Sequence, residues 1–397
     1  MSPAAVDPAD PRTRAWAYLS RVAEGAHAPL QELIGALGPE HAAEVLRSGT
    51  HGPRLPRALS DAVEARRALD RSAQDLTALA RLGGRLITPD SPEWPQWRMR
   101  HFRPGPTDGR GRRPVDHAAP VALWAVGTAR LTDIDRAVAV VGTRAASGYG
   151  EHVTAEIAGD LAADGYAIVS GAAYGVDAVA HRAALARDGL TVAVLACGID
   201  RVYPAGNAAL LRGVKDRGLV VSEYPPGTVP ARYRFLGRNR LIAALSDAVV
   251  VPEAGLRSGA RNTVSWARRF GLPVCAVPGP VTSATSVGCH RMIADGVAAL
   301  AVDAAQVAEA AGPIGTLAPA VDAPERVTDP LTEDQRRVYD GFPARGAVSV
   351  EELSVEAGLP IRTVLAAVAM LEAADLIVPE GRRWRLAPVR PARPARG

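Results

Sequence analysis

Short apolar runs alternate with helical stretches between residues 120 and 305. The runs are AVAVVG, AIVSG, TVAVLACG, LVVSEY, DAVVVPEAG and LPVCAVPG, and alanine-rich segments separate them. Continuous apolar strands joined by crossover helices are typical of a parallel sheet covered on both faces. We therefore predict an α/β fold with an extended, doubly wound, mostly parallel, Rossmann-like sheet. In such folds, ligands bind beyond the carboxyl ends of the strands.

Different patterns flank this region. Over residues 1–88, apolar positions recur every three or four residues, which predicts a small all-α module. That this module is SAM-like or helix-hairpin-helix-like is an expectation that periodicity alone does not give. Residues 101–118 are rich in Gly, Pro and Arg and predict a loop. After the sheet domain at 120–305, we expect a linker at 306–330, a winged helix of three short helices and a hairpin at 331–388, and a basic tail at 389–397.

Composition adds limits on function. Hydrophobic residues make up 48% of the chain, and 46 basic residues nearly balance 42 acidic ones, so a basic function has to come from local patches. Three widely spaced cysteines without a C-x-x-C pair predict neither a disulfide framework nor a metal site. Because there is no signal-peptide pattern and no apolar run of about 18 residues, we expect a cytoplasmic protein with no membrane partner.

The turn VVGTRAASGYG, at 140–150, has the composition of an anion site. Gly142 allows close backbone approach, Thr143 and Ser147 offer hydroxyls, and Arg144 adds a forked donor beside the free amides of a helix start. The glycine spacing is not the G-x-G-x-x-G fingerprint, and no G-K-[Ser/Thr] loop occurs, so no nucleotide cofactor is predicted. An ordinary capped turn is the alternative interpretation.

Three more turns of this kind follow other strands. Gly171 lies in SGAAYGVDAVAHRAAL, Arg201 lies in CGIDRVYPAGN, and the third turn is EAGLRSGARNTVSWARR at 253–269. All four turns share one edge of a parallel sheet, where their small residues and arginines could line one groove. We interpret His181 as structural and Asp177 as a residue that orients a turn. The sequence shows no Ser/His/Asp or Cys/His arrangement, and no catalytic residue is predicted.

The stretch ARYRFLGRNR, at 231–240, combines four arginines with two aromatic residues and contains no acid. A buried strand would not tolerate these charges, and a solvated face would not need the rings. Two interpretations stay open. The stretch either binds a partner that carries negative charge and flat surfaces, or it forms a structural corner whose acids lie elsewhere.

Seven segments recur in the order and at the spacing of a known family. They are VVGTRAASGYG, SGAAYGVDAVAHRAAL, VLACGIDRVYPAGN, VVSEYPPG, RFLGRNRLIAALSDAVVVPEA, SGARNTVSWA and AVPGPVTSATSVGCHRMIADGV. Together they resemble the DNA-processing protein A family (DprA, also called Smf). The resemblance covers roughly residues 120–305 and extends more weakly to both flanks. It implies a protein that binds single-stranded DNA in a basic pocket, forms homodimers and delivers incoming strands to the RecA recombinase during natural transformation, with no established catalytic activity, cofactor or metal.

The resemblance also implies roles for individual residues. Gly142, Thr143 and Arg144 occupy the family's Gly-Ser-Arg turn, with the threonine keeping the hydroxyl of the serine. Tyr174 and Ala205 stand where many members have arginine and lysine. Both departures remove positive charge, so we expect weaker binding of DNA than is usual in the family.

The Arg-Asn-Arg motif of the family is present unchanged as Arg238, Asn239 and Arg240. Phe235 falls on the aromatic position before this motif, and Arg232 falls on a basic position three residues earlier. The hypothesis that follows is that arginines contact phosphates while Phe235, with Tyr233 as a second candidate, stacks on unpaired bases, which favours single strands over duplex.

Two other functions stay open at this point. A related Rossmann-like family hydrolyses nucleoside monophosphates with a glutamate at a strand-end turn; here VPEAGLRSGARNT has Glu253 but lacks the expected double glycine. A sequence-specific regulator would read base edges with the tail module, but the helix IRTVLAAVAMLEAADL offers only Arg362. For this module we favour protein contacts, or weak phosphate contacts through Arg382, Arg383, Arg385 and the basic tail.

Overall fold

The computed structural model describes residues 7–25, 27–49, 55–102, 118–312, 328 and 330–388. The chain divides into two compact units, Met1–Ala318 and Pro319–Gly397. Most of the predicted loop at 101–118, most of the predicted linker and the predicted basic tail at 389–397 lie outside the described residues.

One mixed sheet forms the centre of the first unit. Across the sheet, the described strands follow the order β1-β2-β6-β5-β4-β3-β7-β8-β9. β1 and β2 pair antiparallel with each other and β2 pairs antiparallel with β6, whereas all other pairs are parallel. This confirms the predicted mostly parallel, Rossmann-like sheet. In chain order the strands are β1 (Arg85–Ile87), β2 (Leu123–Gly127), β3 (Ala137–Val140), β4 (Ala167–Ser170), β5 (Thr191–Leu195), β6 (Leu219–Ser222), β7 (Ala248–Val251), β8 (Val274–Ala276) and β9 (Ala299–Leu300).

The strand order reverses at β3. Successive strands extend the sheet from β3 through β4 and β5 to β6, and the chain then returns to add β7 on the other side of β3. Val138 of β3 therefore lies between Ile168 of β4 and Ala248 of β7. The loops that follow β3 and β7 diverge at such a reversal, which leaves a crevice at the carboxyl ends of the two strands.

Helices cover both faces of the sheet. Val138, Val140 and Ile168 point to one face and pack with Ile157 and Leu161. Ala139 and Val169 point to the opposite face and belong to a second apolar cluster. The helices of this unit are α1 (Pro11–Val22), α2 (Ala28–Leu37), α3 (Pro39–Ser48), α4 (Arg57–Val63), α5 (Ser72–Arg81), α6 (Gln96–Met99), α7 (Gly148–Ala163), α8 (Val176–Ala186), α9 (Ala208–Arg217), α10 (Arg232–Ala244), α11 (Ala260–Arg269), α12 (Val287–Ala294) and α13 (Ala304–Ala311).

Two predicted domain boundaries differ from the structure. Helices α1 to α5 do not form a separate compact unit ending at residue 88, because Leu19 and Leu76 share an apolar cluster with Trp124 and Val220 of the sheet. The predicted linker 306–330 begins inside α13, where the Asp303 carboxylate caps the helix and Val307 is fully buried. Because Asp303 caps α13 and Val307 packs into the core, the first compact unit continues past residue 305.

The second unit contains α14 (Glu333–Asp340), α15 (Val350–Ala357) and α16 (Ile361–Ala373), followed by a hairpin of β10 (Ile377–Glu380) and β11 (Arg383–Leu386). Three helices and a hairpin are the layout expected for 331–388, and its assignment as a winged helix stays a prediction. Within the described part of the chain, no single helix is long and apolar enough to cross a membrane; α15 and α16, bent by 108°, meet that test only as a pair.

Candidate nucleic-acid interface

A cleft of about 790 Å³ opens where β3 and β7 end. Its walls come from the turn after β3, from the loop that joins β7 to α11, and from the first two turns of α10. The cleft therefore lies at the carboxyl-end crevice of the sheet, where the four strand-end turns were predicted to meet.

The turn after β3 is fixed by backbone contacts. A Cβ on Gly142 would lie 2.6 Å from the carbonyl oxygen of Glu253, so only glycine fits. The Thr143 amide donates to the same carbonyl at 2.8 Å, and the Thr143 hydroxyl accepts from the Ala145 amide at 3.2 Å. These bonds hold Arg144 at the rim, where its side chain is exposed.

Phe235 forms an aromatic wall of the cleft. Its ring is partly exposed, and the ring centroid lies 5.5 Å from that of Tyr203. The guanidinium carbons of Arg144 and Arg238 lie 5.2 Å and 5.9 Å from the ring centroid, within the range of cation–π contacts. Phe235 thus lines the cleft rather than the core, as the stacking hypothesis requires.

The side chains of three exposed arginines in the cleft have no hydrogen bond or ion pair with any described residue. They are Arg144, Arg232 and Arg257, from the turn after β3, from α10 and from the loop after β7. Arg257 lies outside the residues predicted for the site, although its loop was predicted to border the groove. Its place in the same cleft as Arg144 depends on β7 pairing with β3, which the apolar pattern does not reveal.

Arg238 lies at the base of the cleft. Its Nη1 donates to the carbonyl oxygen of Gly171 at 2.8 Å and to that of Val194. Asp177 also lines the cleft, and its carboxylate accepts from the amides of Gly171 and Ala173, which confirms its predicted role in orienting a turn. Burial raises the pKa of Asp177 and lowers the pKa of Arg238. Asn239 lines the same cleft, where its amide donates to Asn262 at 3.2 Å.

Ser147, Gly171 and Arg240 have structural partners instead of positions on the cleft wall. The Ser147 hydroxyl caps α7 and donates to the Glu253 carboxylate at 2.6 Å. Gly171 is buried against the Arg238 guanidinium, which leaves no room for a Cβ. Arg240 is 1% exposed and its Nη2 donates to Glu223 at 2.6 Å. These contacts brace the walls of the cleft, and the predicted contact of the three residues with nucleic acid stays a prediction.

Arg201 occupies the neighbouring loop after β5. It is exposed, donates to the carbonyl oxygen of Gly227 at 3.3 Å and borders a separate cavity of about 460 Å³. Tyr203 borders both this cavity and the main cleft. Arg201 therefore lies next to the main cleft without lining it.

The interpretation of His181 as structural agrees with its surroundings. Its ring is fully buried, and Nδ1 donates to the Thr191 hydroxyl at 2.7 Å, because that hydroxyl itself donates to the carbonyl oxygen of Ile168. Burial lowers the pKa of His181 to about 3. The three cysteines are free and buried.

These features define a Rossmann-like protein with an arginine-lined cleft at the reversal point of its sheet. Residues 85–312 match the family model described as DNA recombination-mediator protein A, and the chain belongs to this family. A Mycobacterium tuberculosis protein that carries the provisional name DNA processing protein DprA is 50% identical over 95% of both chains. Protein Smf of Escherichia coli is 42% identical over 40% of this chain and 43% of its own length.

The fold also resembles a solved structure of the family. The X-ray structure of DNA processing protein A from Streptococcus pneumoniae is 29% identical and superimposes with a TM-score of 0.59. The match covers 76% of this chain and 97% of that chain. The first compact unit therefore has the fold that the resemblance implied.

Proposed function

We propose that this protein binds single-stranded DNA in the cleft between β3 and β7. The observation that carries the proposal is that the side chains of Arg144, Arg232 and Arg257, which have no hydrogen bond or ion pair with a described residue, line the same cleft as the partly exposed ring of Phe235. Guanidinium groups bind phosphates, and a free ring stacks on any unpaired base without reading sequence.

The arrangement favours single strands over duplex. Base faces are stacked and inaccessible in a duplex, so Phe235 adds affinity only when a base is unpaired. The phosphate contacts contribute a salt-dependent part of the affinity, and the ring contributes a part that depends little on salt. The two contributions are therefore separable by experiment.

We further propose that the protein acts as a homodimer that delivers strands to the RecA recombinase. The edge of the sheet at β9 supports the first part, because β9 pairs only with β8 among the described strands, and Leu300 in β9 and Val302 just after it expose 51% and 52% of their surface. Exposed apolar edge strands are sites of association between chains. Membership in the recombination-mediator family supports the second part.

The test is the affinity of the full-length protein for matched single-stranded and duplex oligonucleotides across a salt series. We expect tighter binding of the single strand, with log affinity falling linearly against log salt. Equal affinity for both forms would contradict the proposal, since the ring would then contribute nothing.

The alternative of nucleoside-monophosphate hydrolysis gains no support from Glu253. This carboxylate is 1% exposed and accepts from the hydroxyls of Ser147 and Thr285. A glutamate committed to these bonds braces the start of α7 and cannot reach a substrate in the cleft. Incubation with AMP should accordingly release no free adenine.

A further inference from the structure

Tyr233 and Phe235 lie on different sides of α10. Residues two positions apart on a helix point in directions about 200° apart, so the two rings cannot share one wall. Phe235 lines the main cleft, whereas Tyr233 borders a second cavity of about 410 Å³. The exposed side chain of Leu236 lines both, so the cavities are neighbours across the first turns of α10.

The second cavity has aromatic walls. Tyr233 is 59% exposed, yet its hydroxyl donates to Glu24 at 3.0 Å, and the Arg234 guanidinium lies 4.9 Å from its ring centroid. Tyr224 and Trp266 line the cavity more deeply and are buried. An exposed ring that is already held by its hydroxyl offers a stacking surface at a small cost in conformational entropy.

Arg240 and Glu223 provide polar groups at this cavity. Arg240 is 1% exposed and its Nη2 is bound to Glu223, but its Nη1 has no hydrogen-bond partner among the described residues. Buried donors nearly always have an acceptor. A carbonyl oxygen of a bound base could supply one, and the Glu223 carboxylate could accept from an amino group of the same base.

The charges at this cavity favour a neutral occupant over a phosphate. The carboxylates of Glu24 and Glu223 line it, and the arginines next to them are held in ion pairs, Arg66 and Arg234 with Glu24 and Arg240 with Glu223. The main cleft has the opposite character, with three arginines that lack such partners. A neutral base is not repelled by carboxylates, whereas a phosphate is.

We propose that the cavity between Tyr233 and Trp266 is a second base-binding pocket, which receives one unpaired base of a strand whose phosphates lie in the main cleft. The inference rests on the proposed function. Among the bases, guanine matches the polar groups best, because its O6 accepts a hydrogen bond while its ring N1–H and its 2-amino group present two adjacent donors to a carboxylate. Cytosine also has a carbonyl oxygen and an amino group but lacks the adjacent ring N–H. The pocket therefore gives the protein a preference for guanine-containing single strands.

The experiment measures the affinity of the full-length protein for three single strands: oligo(dT), the same strand with guanines inserted, and a third strand with inosine at the guanine positions. The base of inosine differs from guanine only by lacking the amino group. Wild-type protein should bind the guanine strand several-fold more tightly than the inosine strand. Tyr233→Ala should weaken binding of the guanine strand roughly tenfold and abolish the difference. Tyr233→Phe, the matched control, should stay within about twofold of wild type because the ring remains.

Arg144→Ala separates failure of this inference from failure of the proposed function. Loss of binding in Arg144→Ala with unchanged binding in Tyr233→Ala would overturn the second pocket and leave the main cleft intact. Equal affinity of wild-type protein for guanine and inosine strands would overturn the assignment of guanine at Glu223. Absence of single-strand binding by the wild-type protein would overturn both proposals.

Discussion

Replacing Phe235 by alanine removes the aromatic ring on which we propose that a base stacks, and leaves a groove that can attract DNA only through its positive charge. Stacking of one base on an aromatic ring is worth about 1–3 kcal/mol and depends little on salt. With about 1.4 kcal/mol per tenfold change, Phe235→Ala should weaken single-strand binding by roughly 5- to 150-fold. The slope of log affinity against log salt should stay unchanged, because no phosphate contact is lost.

The same substitution also has a cost in folding stability, which follows from the partial burial of the ring. Replacing a fully buried phenylalanine by alanine lowers the free energy of unfolding by about 3–5 kcal/mol. For the partly buried Phe235 we expect about half of that loss. The variant should melt a few degrees lower and still be folded at 25 °C. Phe235→Tyr keeps the ring and should bind within about twofold of wild type.

Fluorescence anisotropy over a salt series and thermal melting on the same sample decide the question. Arg232→Ala provides the contrast, since loss of one phosphate contact should flatten the slope by about 0.7. The stacking argument would be refuted by a folded Phe235→Ala variant with wild-type affinity. A Phe235→Ala variant whose salt slope flattens like that of Arg232→Ala would also refute it.

Three further predictions concern the other charged groups of the site and the core. Arg144→Ala should lower single-strand affinity and reduce the salt slope by about 0.7 without a change in melting temperature, as measured by the same assays. Arg240→Met should lower the free energy of unfolding by about 3–5 kcal/mol, because it leaves Glu223 buried without its partner. In denaturant titration, the double variant Arg240→Met/Glu223→Leu should recover most of this loss. Acidification from about pH 7.5 to about pH 5.5 should lower the free energy of unfolding of the wild type by about 1.4 kcal/mol through His181. In the unfolded chain this histidine binds a proton below about pH 6.5, whereas in the folded protein, where its pKa is about 3, it stays neutral over this range. His181→Asn, which keeps a donor toward Thr191, should lack this acid-dependent loss; an identical pH profile in the variant would contradict the assignment.

Much of the sheet could be predicted because buried parallel strands need continuous apolar runs. Six such runs correspond to β3 to β8, and the turns that follow them meet at one edge as expected. The antiparallel strands β1 and β2 were not predicted in this way, because they precede the regular alternation of apolar runs and helices that begins with β3. The reversal of strand order at β3, which places Arg257 and Arg144 in one cleft, depends on strand pairing and not on local sequence pattern.

The local sequence pattern also could not predict which arginines form ion pairs. The stretch at 231–240 left two interpretations open, and the structure contains both. Arg234 and Arg240 pair with Glu24 and Glu223, acids that lie 210 and 17 residues away in the chain. Arg232, on the same helix, makes no such pair. Which of them meets an acid is decided by the direction in which each side chain leaves α10 and by what packs there.

This contrast explains how a chain with nearly balanced charge can hold a basic site. All 46 basic residues except Lys215 are arginine, so enrichment in arginine distinguishes no surface from another. The cleft is distinguished by its lack of acids, since Asp177 is the one carboxylate among its described lining residues and is bound to backbone amides. Arginines such as Arg21, Arg85 and Arg98 are held by ion pairs with acids, whereas we propose that the exposed arginines of the cleft bind phosphates. Adding a carboxylate there, for example by Ser258→Asp, would therefore be expected to weaken DNA binding more than removing an exposed arginine outside the cleft.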